Sequence, residues 1–208
     1  RLRHRLGHGH LLAALLVAVE GLAERAVGGE EPPHRANVER VGIAGETSVE
    51  WILADLAVAV AGGAVTTVYA STGADDVAYI LSDSDTRIIY AENEAQVAKL
   101  REKRSELGHL GKVILFHGQP EDQDGDWVIS LDDLRQLGKE KLLAEPNCVT
   151  ERAGQVTSDQ LATLIYTSGT TGKPKGVELT QGNWGYIGAA IDGMGVLTVD
   201  DVQFLWLP

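Results

Sequence analysis

The densest run of side chains able to do chemistry is Tyr166-Thr167-Ser168-Gly169-Thr170-Thr171-Gly172-Lys173-Pro174-Lys175-Gly176-Val177. It holds four hydroxyls of Ser or Thr, three glycines and two lysines in twelve residues. Glycines let successive backbone N–H groups turn onto an anion without Cβ interference. Hydroxyls add donors, and a lysine adds a compact positive charge. That set suits a polyphosphate. Two familiar phosphate loops do not fit. A Walker A loop needs G-x-x-x-x-G-K-[ST] opening a helix, but Thr167 stands at the first glycine and Pro174 follows Lys173. The residues after the loop alternate like a strand, so no helix N-terminus lies beneath the phosphates, and G-x-G-x-x-G is absent from the stretch.

Other candidate sites are weaker. Asp122, Asp124 and Asp126 have calcium-loop spacing, but an EF-hand requires glycine at its sixth position and glutamate at its twelfth. Trp127 and Asp133 stand there, so Pro120 to Asp126 reads as a solvated acidic turn. His4, His8 and His10 lack paired ligands further on and read as solvated. Cys148 is the single cysteine; it can form no internal disulfide, and a reducing, cytoplasmic setting follows from that usage.

Positioning the loop requires strands, and the chain supplies them in alternation with helices. Glu39 to Ala44 reads as a strand. Thr47-Ser48-Val49-Glu50 reads as a capping box for a helix running to Gly62-Gly63. Ala64 to Ala70 is a second strand, and Thr72 caps a helix with Val77, Ile80 and Leu81 on one face. Thr86 to Tyr90, a polar helix from Glu94 to Leu107, and a strand from Lys112 to His117 follow. Leu131 to Leu143 is helical and Ala144 to Ser158 is a polar connector. Leu161 to Tyr166 delivers the loop, Gly176 to Leu179 returns, Gly182 to Val196 is a helix and Val202 to Leu207 a last strand. The rhythm indicates an α/β fold with a mainly parallel sheet flanked by helices, whose ligands bind at the carboxyl ends of strands. Before all this, basic Arg1 to His10 precedes Leu12, Leu15, Leu16, Val19 and Leu22 at helical spacing, and Gly28 to Asn37 is a loop. That apolar run is shorter than the ~20 residues a bilayer requires.

In 208 residues, 44% are hydrophobic and 23% charged, as in an ordinary globular protein. Thirty acids against 18 bases give a net charge of −12. Nucleic acid is therefore not an expected partner, and any polyphosphate must be held by local design.

Thr167-Ser168-Gly169-Thr170-Thr171-Gly172-Lys173-Pro174-Lys175-Gly176 resembles the signature loop of the adenylate-forming enzymes, which include acyl-CoA synthetases, luciferases and adenylation domains of peptide synthetases. Glu39 to Ala44, Glu50-Trp51 and Gly62-Gly63-Ala64-Val65 through Tyr69 look like the first sheet of acyl-CoA synthetases. Asp76 to Ser84, Glu92-Asn93, Leu179 to Trp184 and Leu205-Trp206-Leu207-Pro208 resemble bacterial long-chain fatty acid–CoA ligases. The resemblance implies part of the family's large N-terminal domain over residues 38–208, with residues 1–37 a poorly matching segment and the C-terminal domain absent. Either a divergent or foreign N-terminal segment or a change of reading frame upstream of Val38 would account for that mismatch, and the frame change is the expected origin.

By resemblance, a fatty acid carboxylate attacks the α-phosphate of ATP to give acyl-adenylate and pyrophosphate, and the acyl group then passes to coenzyme A. Thr167, Ser168, Gly169, Thr170, Thr171 and Gly172 would cradle the β- and γ-phosphates through charge-assisted bonds of ~1.5–3 kcal/mol each. Lys175 would face the leaving pyrophosphate or brace the loop, and Lys173 ranks below it. Mg2+ would bridge the phosphates. The resemblance assigns no catalytic residue and no protein metal ligand within these residues, and the chain alone is expected not to turn over. It implies peripheral membrane association only through the lipid substrate. The family usually carries histidine where Gln181 stands. Two alternatives remain: another adenylate-former, either an amino-acid-activating domain or an acyl-AMP ligase, and a non-catalytic remnant.

Overall fold

A computed structural model describes residues 39–167, 172–195, 198, 200 and 201. The expected N-terminal helix and loop over residues 1–37, and the expected strand Val202–Leu207, lie outside the described residues. Seven strands form one sheet: β1 (Arg40–Ala44), β2 (Ala64–Val68), β3 (Ile88–Ala91), β4 (Lys112–Leu115), β5 (Val128–Ser130), β6 (Leu161–Thr167) and β7 (Lys175–Thr180). Their order is β5-β4-β3-β1-β2-β6-β7. Every neighbouring pair is parallel except β6 and β7, which run antiparallel. The helices are α1 (Val49–Val60), α2 (Ala74–Asp83), α3 (Glu94–Glu102), α4 (Leu131–Ala144), α5 (Cys148–Ala153) and α6 (Gln181–Met194). None of them is long and apolar enough to cross a membrane.

Strands β1 to β5 of the sheet are covered on both faces, as parallel strands made from βαβ units must be. Val41, Ile43, Ile88 and Ile114 pack on Ala54, Ala57 and Val58 of α1 and on Leu131 and Leu134 of α4. On the other face Ala44, Ile89 and Leu115 meet Val77 and Leu81 of α2 and Val97 and Leu100 of α3. The Val77, Ile80 and Leu81 face foreseen for α2 is therefore the core face.

Several boundaries differ from the sequence reading, each for a local reason. The cap of α1 is Ser48, whose Oγ accepts the Trp51 N–H at 3.1 Å. The third helical position is then Trp51 rather than Glu50, so the Thr47–Glu50 box does not form. Gly73, not Thr72, precedes α2, and Thr72 belongs to the turn before it, its N–H donating to the Tyr69 carbonyl at 3.0 Å. Helix α3 stops at Glu102 rather than continuing to Leu107. The chain instead turns so that Leu107 and Leu110 reach the core. Strand β5 was not foreseen, being only three residues long. Nor was α5, within the expected connector; its Arg152 Nε donates to the Ala61 carbonyl at the end of α1, at 2.7 Å.

The acidic turn is the clearest correction. Asp124 is not solvated: its side chain is 1% exposed. It accepts Arg101 Nε at 2.7 Å and Nη2 at 2.6 Å, a bidentate pair, together with the Glu121 N–H at 3.1 Å. Arg101 also pairs with Glu94, and the neighbouring Arg104 guanidinium lies 4.4 Å from the Trp127 ring centre. The turn thus ties α3 to the start of β5.

The Arg101 bonds hold the Asp124 carboxyl below the usual carboxylate range. A depressed native value stabilises the fold above the unfolded value of about 3.9 and loses that contribution as pH falls through the native value. We therefore expect Asp124→Asn to lower unfolding stability at pH 7 by about 1–2 kcal/mol. Urea titrations across pH 2–7 should show the acid loss of stability reduced in the variant.

Candidate functional site

The loop of interest hangs from the carboxyl end of β6, next to the carboxyl end of β2. In open α/β sheets the usual ligand crevice is where the strand order reverses, here between β1 and β3. That crevice is filled. Glu92, following β3, accepts the Glu46 N–H at 3.0 Å, and a Cβ on Gly45 would sit 2.5 Å from the Glu92 Cβ. The β6–β7 hairpin lies further along the same sheet, at its edge.

At the hairpin's mouth Thr167 is registered opposite Lys175, with Tyr166 opposite Gly176 and Ile165 opposite Val177. Thr167 and Lys175 are both exposed. Of the other expected cradle residues, Ser168, Gly169, Thr170 and Thr171 lie outside the described residues. Gly172 is described: its φ is +138°, and a Cβ there would meet nothing within 4 Å. Its backbone conformation is one that side-chain-bearing residues rarely adopt. The structure thus brings Thr167 and Lys175 together at one rim, with Gly172 three residues before Lys175 in the chain.

Helix α2 holds this rim. The Tyr79 hydroxyl donates to the Pro174 carbonyl at 3.0 Å, and Lys173 Nζ lies 4.6 Å from the Tyr79 ring centre. The Tyr166 hydroxyl donates to Asp83 Oδ2 at 2.7 Å. Gly176 makes that reach possible, since a Cβ there would come 3.1 Å from Tyr166 Cζ. Burial, followed by the bond to Asp83, raises the Tyr166 hydroxyl's pKa. Desolvation and the Asp83 charge raise that of Tyr79. Both phenols therefore stay protonated and remain donors at neutral pH. Tyr79 and Asp83 escaped the sequence reading. The only signal was a tyrosine and an aspartate beside the core face of an amphipathic helix.

The chemistry of the rim favours an anion. A cleft of about 260 Å3 beside the hairpin is lined by Arg40, Asp83, Asp85 and Glu178 among others. Three carboxylates against one guanidinium give it the wrong sign for phosphate. The hydroxyl, the ammonium and the glycine backbone of the rim have the right one. No group of three or more His, Cys, Asp or Glu side chains that could hold a metal ion occurs among the described residues.

Beyond β7, Thr180 caps α6: the Asn183 N–H donates to Thr180 Oγ1 at 3.4 Å, and Asn183 Oδ1 accepts the Thr180 N–H at 2.8 Å. Gln181 begins the helix between them, and its Nε2 is buried with no partner among the described residues. Trp184, Tyr186 and Ile187 of α6 are exposed.

Comparison with known proteins places this geometry in context. The AMP-binding enzyme family matches residues 36–208. A long-chain-fatty-acid–CoA ligase of Xenopus laevis (ACSBG2) is 32% identical over 150 residues, covering 72% of this chain and 20% of the relative. The ligase FadD15 of Mycobacterium bovis is 32% identical over 145 residues, covering 70% and 22%. The chain thus spans about a fifth of the length of these relatives. Among solved structures, an anthranilate CoA ligase in complex with anthranoyl-AMP superposes with a TM-score of 0.69 at 22% identity, covering 91% of this chain and 32% of that one. A luciferase-like enzyme from Zophobas morio gives 0.58 at 14% identity, covering 82% and 35%. These likenesses establish the fold of an adenylate-forming N-terminal domain.

The close approach at Gly176 is testable. Gly176→Ala should displace the Tyr166 ring, break its bond to Asp83 and destabilise the protein by about 1–3 kcal/mol, as overpacking does. Chemical denaturation measures the loss of stability, and faster amide exchange in β6 and β7 beyond that loss reports the displaced ring.

Proposed function

The chain belongs to the AMP-binding enzyme family, and on that premise we propose that it forms the phosphate-gripping part of an ATP-dependent fatty acid–CoA ligase. The observation that carries the reading is the rim at the carboxyl end of β6, where exposed Thr167 and exposed Lys175 stand in register on the two stems of the hairpin. The two long-chain-fatty-acid–CoA ligases, each 32% identical to this chain, support the fatty acid over other carboxylates.

Joining a carboxylate to ATP brings two anions together, so the protein must neutralise and orient the polyphosphate before attack. Thr167 and the backbone of Gly172, together with Ser168, Gly169, Thr170 and Thr171, would grip the β- and γ-phosphates. Lys175 would stabilise the charge that grows on the leaving pyrophosphate. Mg2+, where bound to the phosphates, supplies further charge neutralisation. Coenzyme A, as co-substrate, then accepts the acyl group. No catalytic acid or base is required of these residues: their work is positioning and electrostatic.

The test is carboxylate-dependent exchange of pyrophosphate into ATP by the full-length protein, run with long-chain fatty acids and with amino acids. Exchange with fatty acids alone is expected. Exchange only with amino acids would move the protein to an amino-acid-activating role, and none with either would leave a non-catalytic remnant. In the same assay Lys175→Ala should lower kcat/KM for ATP about 10- to 100-fold, the loss of one charge-assisted contact.

A further inference from the structure

The hairpin that carries the rim is only partly laddered to the parallel sheet. Registered pairing of β6 with β2 ends at Thr66 and Leu164 although β2 runs on to Val68, so Ile165, Tyr166 and Thr167 have no registered partner on β2. Their registered neighbour is β7, an edge strand exposed from Lys175 through Glu178. A two-stranded end of this kind does not by itself fix where its tip points, because isolated hairpins are marginal in water.

We infer that Tyr79 and Asp83 of α2 are positioning residues that set where Thr167 and Lys175 stand relative to the core. Each stem of the hairpin has its own fastening. On the outgoing stem, the Tyr166 hydroxyl donates to Asp83 Oδ2 at 2.7 Å. On the returning stem, Tyr79 donates to the Pro174 carbonyl at 3.0 Å while its ring seats Lys173. Both anchors lie one residue or two from the rim: Tyr166 precedes Thr167, and Pro174 precedes Lys175. Both tyrosine rings also pack against the core cluster that includes Val77 and Leu81, so the fastening continues into the rigid sheet.

Asp83 adds a second argument. It is the last residue of α2, where the helix dipole disfavours a carboxylate. An acid at that position opposes the helix that carries it, and what it gains is the Tyr166 bond. Its placement is thus explained by the hairpin rather than by α2.

This inference rests on the ATP-binding reading of the rim, and the experiment separates the two. In the full-length protein, Tyr79→Phe keeps the ring and removes the hydroxyl, and Asp83→Ala removes the acceptor. Each should raise the KM for ATP about fivefold, as the loss of one hydrogen bond would, with the KM for fatty acid unchanged. Amide exchange at Ile165–Thr167 and Gly172–Val177 should quicken without ATP, while Val77–Leu81 and the unfolding midpoint stay as in the wild type. Unchanged exchange at the stems would overturn the inference. So would an equal acceleration throughout the sheet, which marks a general loss of stability. If wild-type protein neither binds nor exchanges ATP, the functional reading fails, and the amide-exchange comparison still decides whether the clasp exists.

Discussion

The structure depends on the dryness of one strand. Every residue of β1 is buried, with α1 and α4 on one face and α2 and α3 on the other. A Cβ on Gly42, in the middle of that strand, would come within 2.9 Å of Ile89 and 3.2 Å of Leu81. Packing this close leaves no room for a ligand between layers. Chemistry is pushed to the carboxyl edge of the sheet, and there the Glu92 side chain closes the position beside β1 and β3. The β6–β7 hairpin lies along that same sheet, at its edge.

The hairpin is built differently from the rest. β7 is the one antiparallel strand among the described residues, and it lies at the sheet's edge. A parallel strand needs a covering crossover of a dozen or more residues, which would have buried the loop's return path. An antiparallel return keeps the loop short and its two stems in register. It also leaves the stems without the two-sided cover that fixes β1. Helix α2 makes up the difference: Val77, Ala78 and Leu81 face the core, while Tyr79 and Asp83 face the hairpin.

Strands β1, β2, β3, β4 and β6 were legible because burial writes them as apolar runs between turn residues, and the amphipathic helices follow from their period. The loop was legible because its ordered hydroxyls, glycines and lysines have no role in a plain turn. What was not legible depends on distant partners. The clasp joins residues 83 positions apart in one bond and 95 in the other. Asp124 read as solvated because its partner, Arg101, sits 23 positions upstream. The cap of α1 slipped by one residue because Thr47 and Ser48 are both competent caps, and only tertiary placement chooses between them. The three-residue β5 carries too little pattern to compete with the turn before it.

The net charge of −12 sets the last problem, since the field of the whole chain repels a polyphosphate. Nearby carboxylates are therefore best engaged elsewhere, and two of them are. Asp83 accepts Tyr166, and Glu92 accepts a backbone N–H. Meanwhile two cations stand beside the mouth, one on the rim at Lys175 and one seated on the Tyr79 ring at Lys173. An aromatic face holds an ammonium without neutralising it, because a quadrupole has no net charge. Lys173 thus keeps its full field next to the mouth, whereas a carboxylate partner would have cancelled it. The same tyrosine that donates to the Pro174 carbonyl on the return stem thus seats Lys173 without cancelling its charge, and an ionised acid there could do neither, since a carboxylate accepts hydrogen bonds and carries the opposite charge.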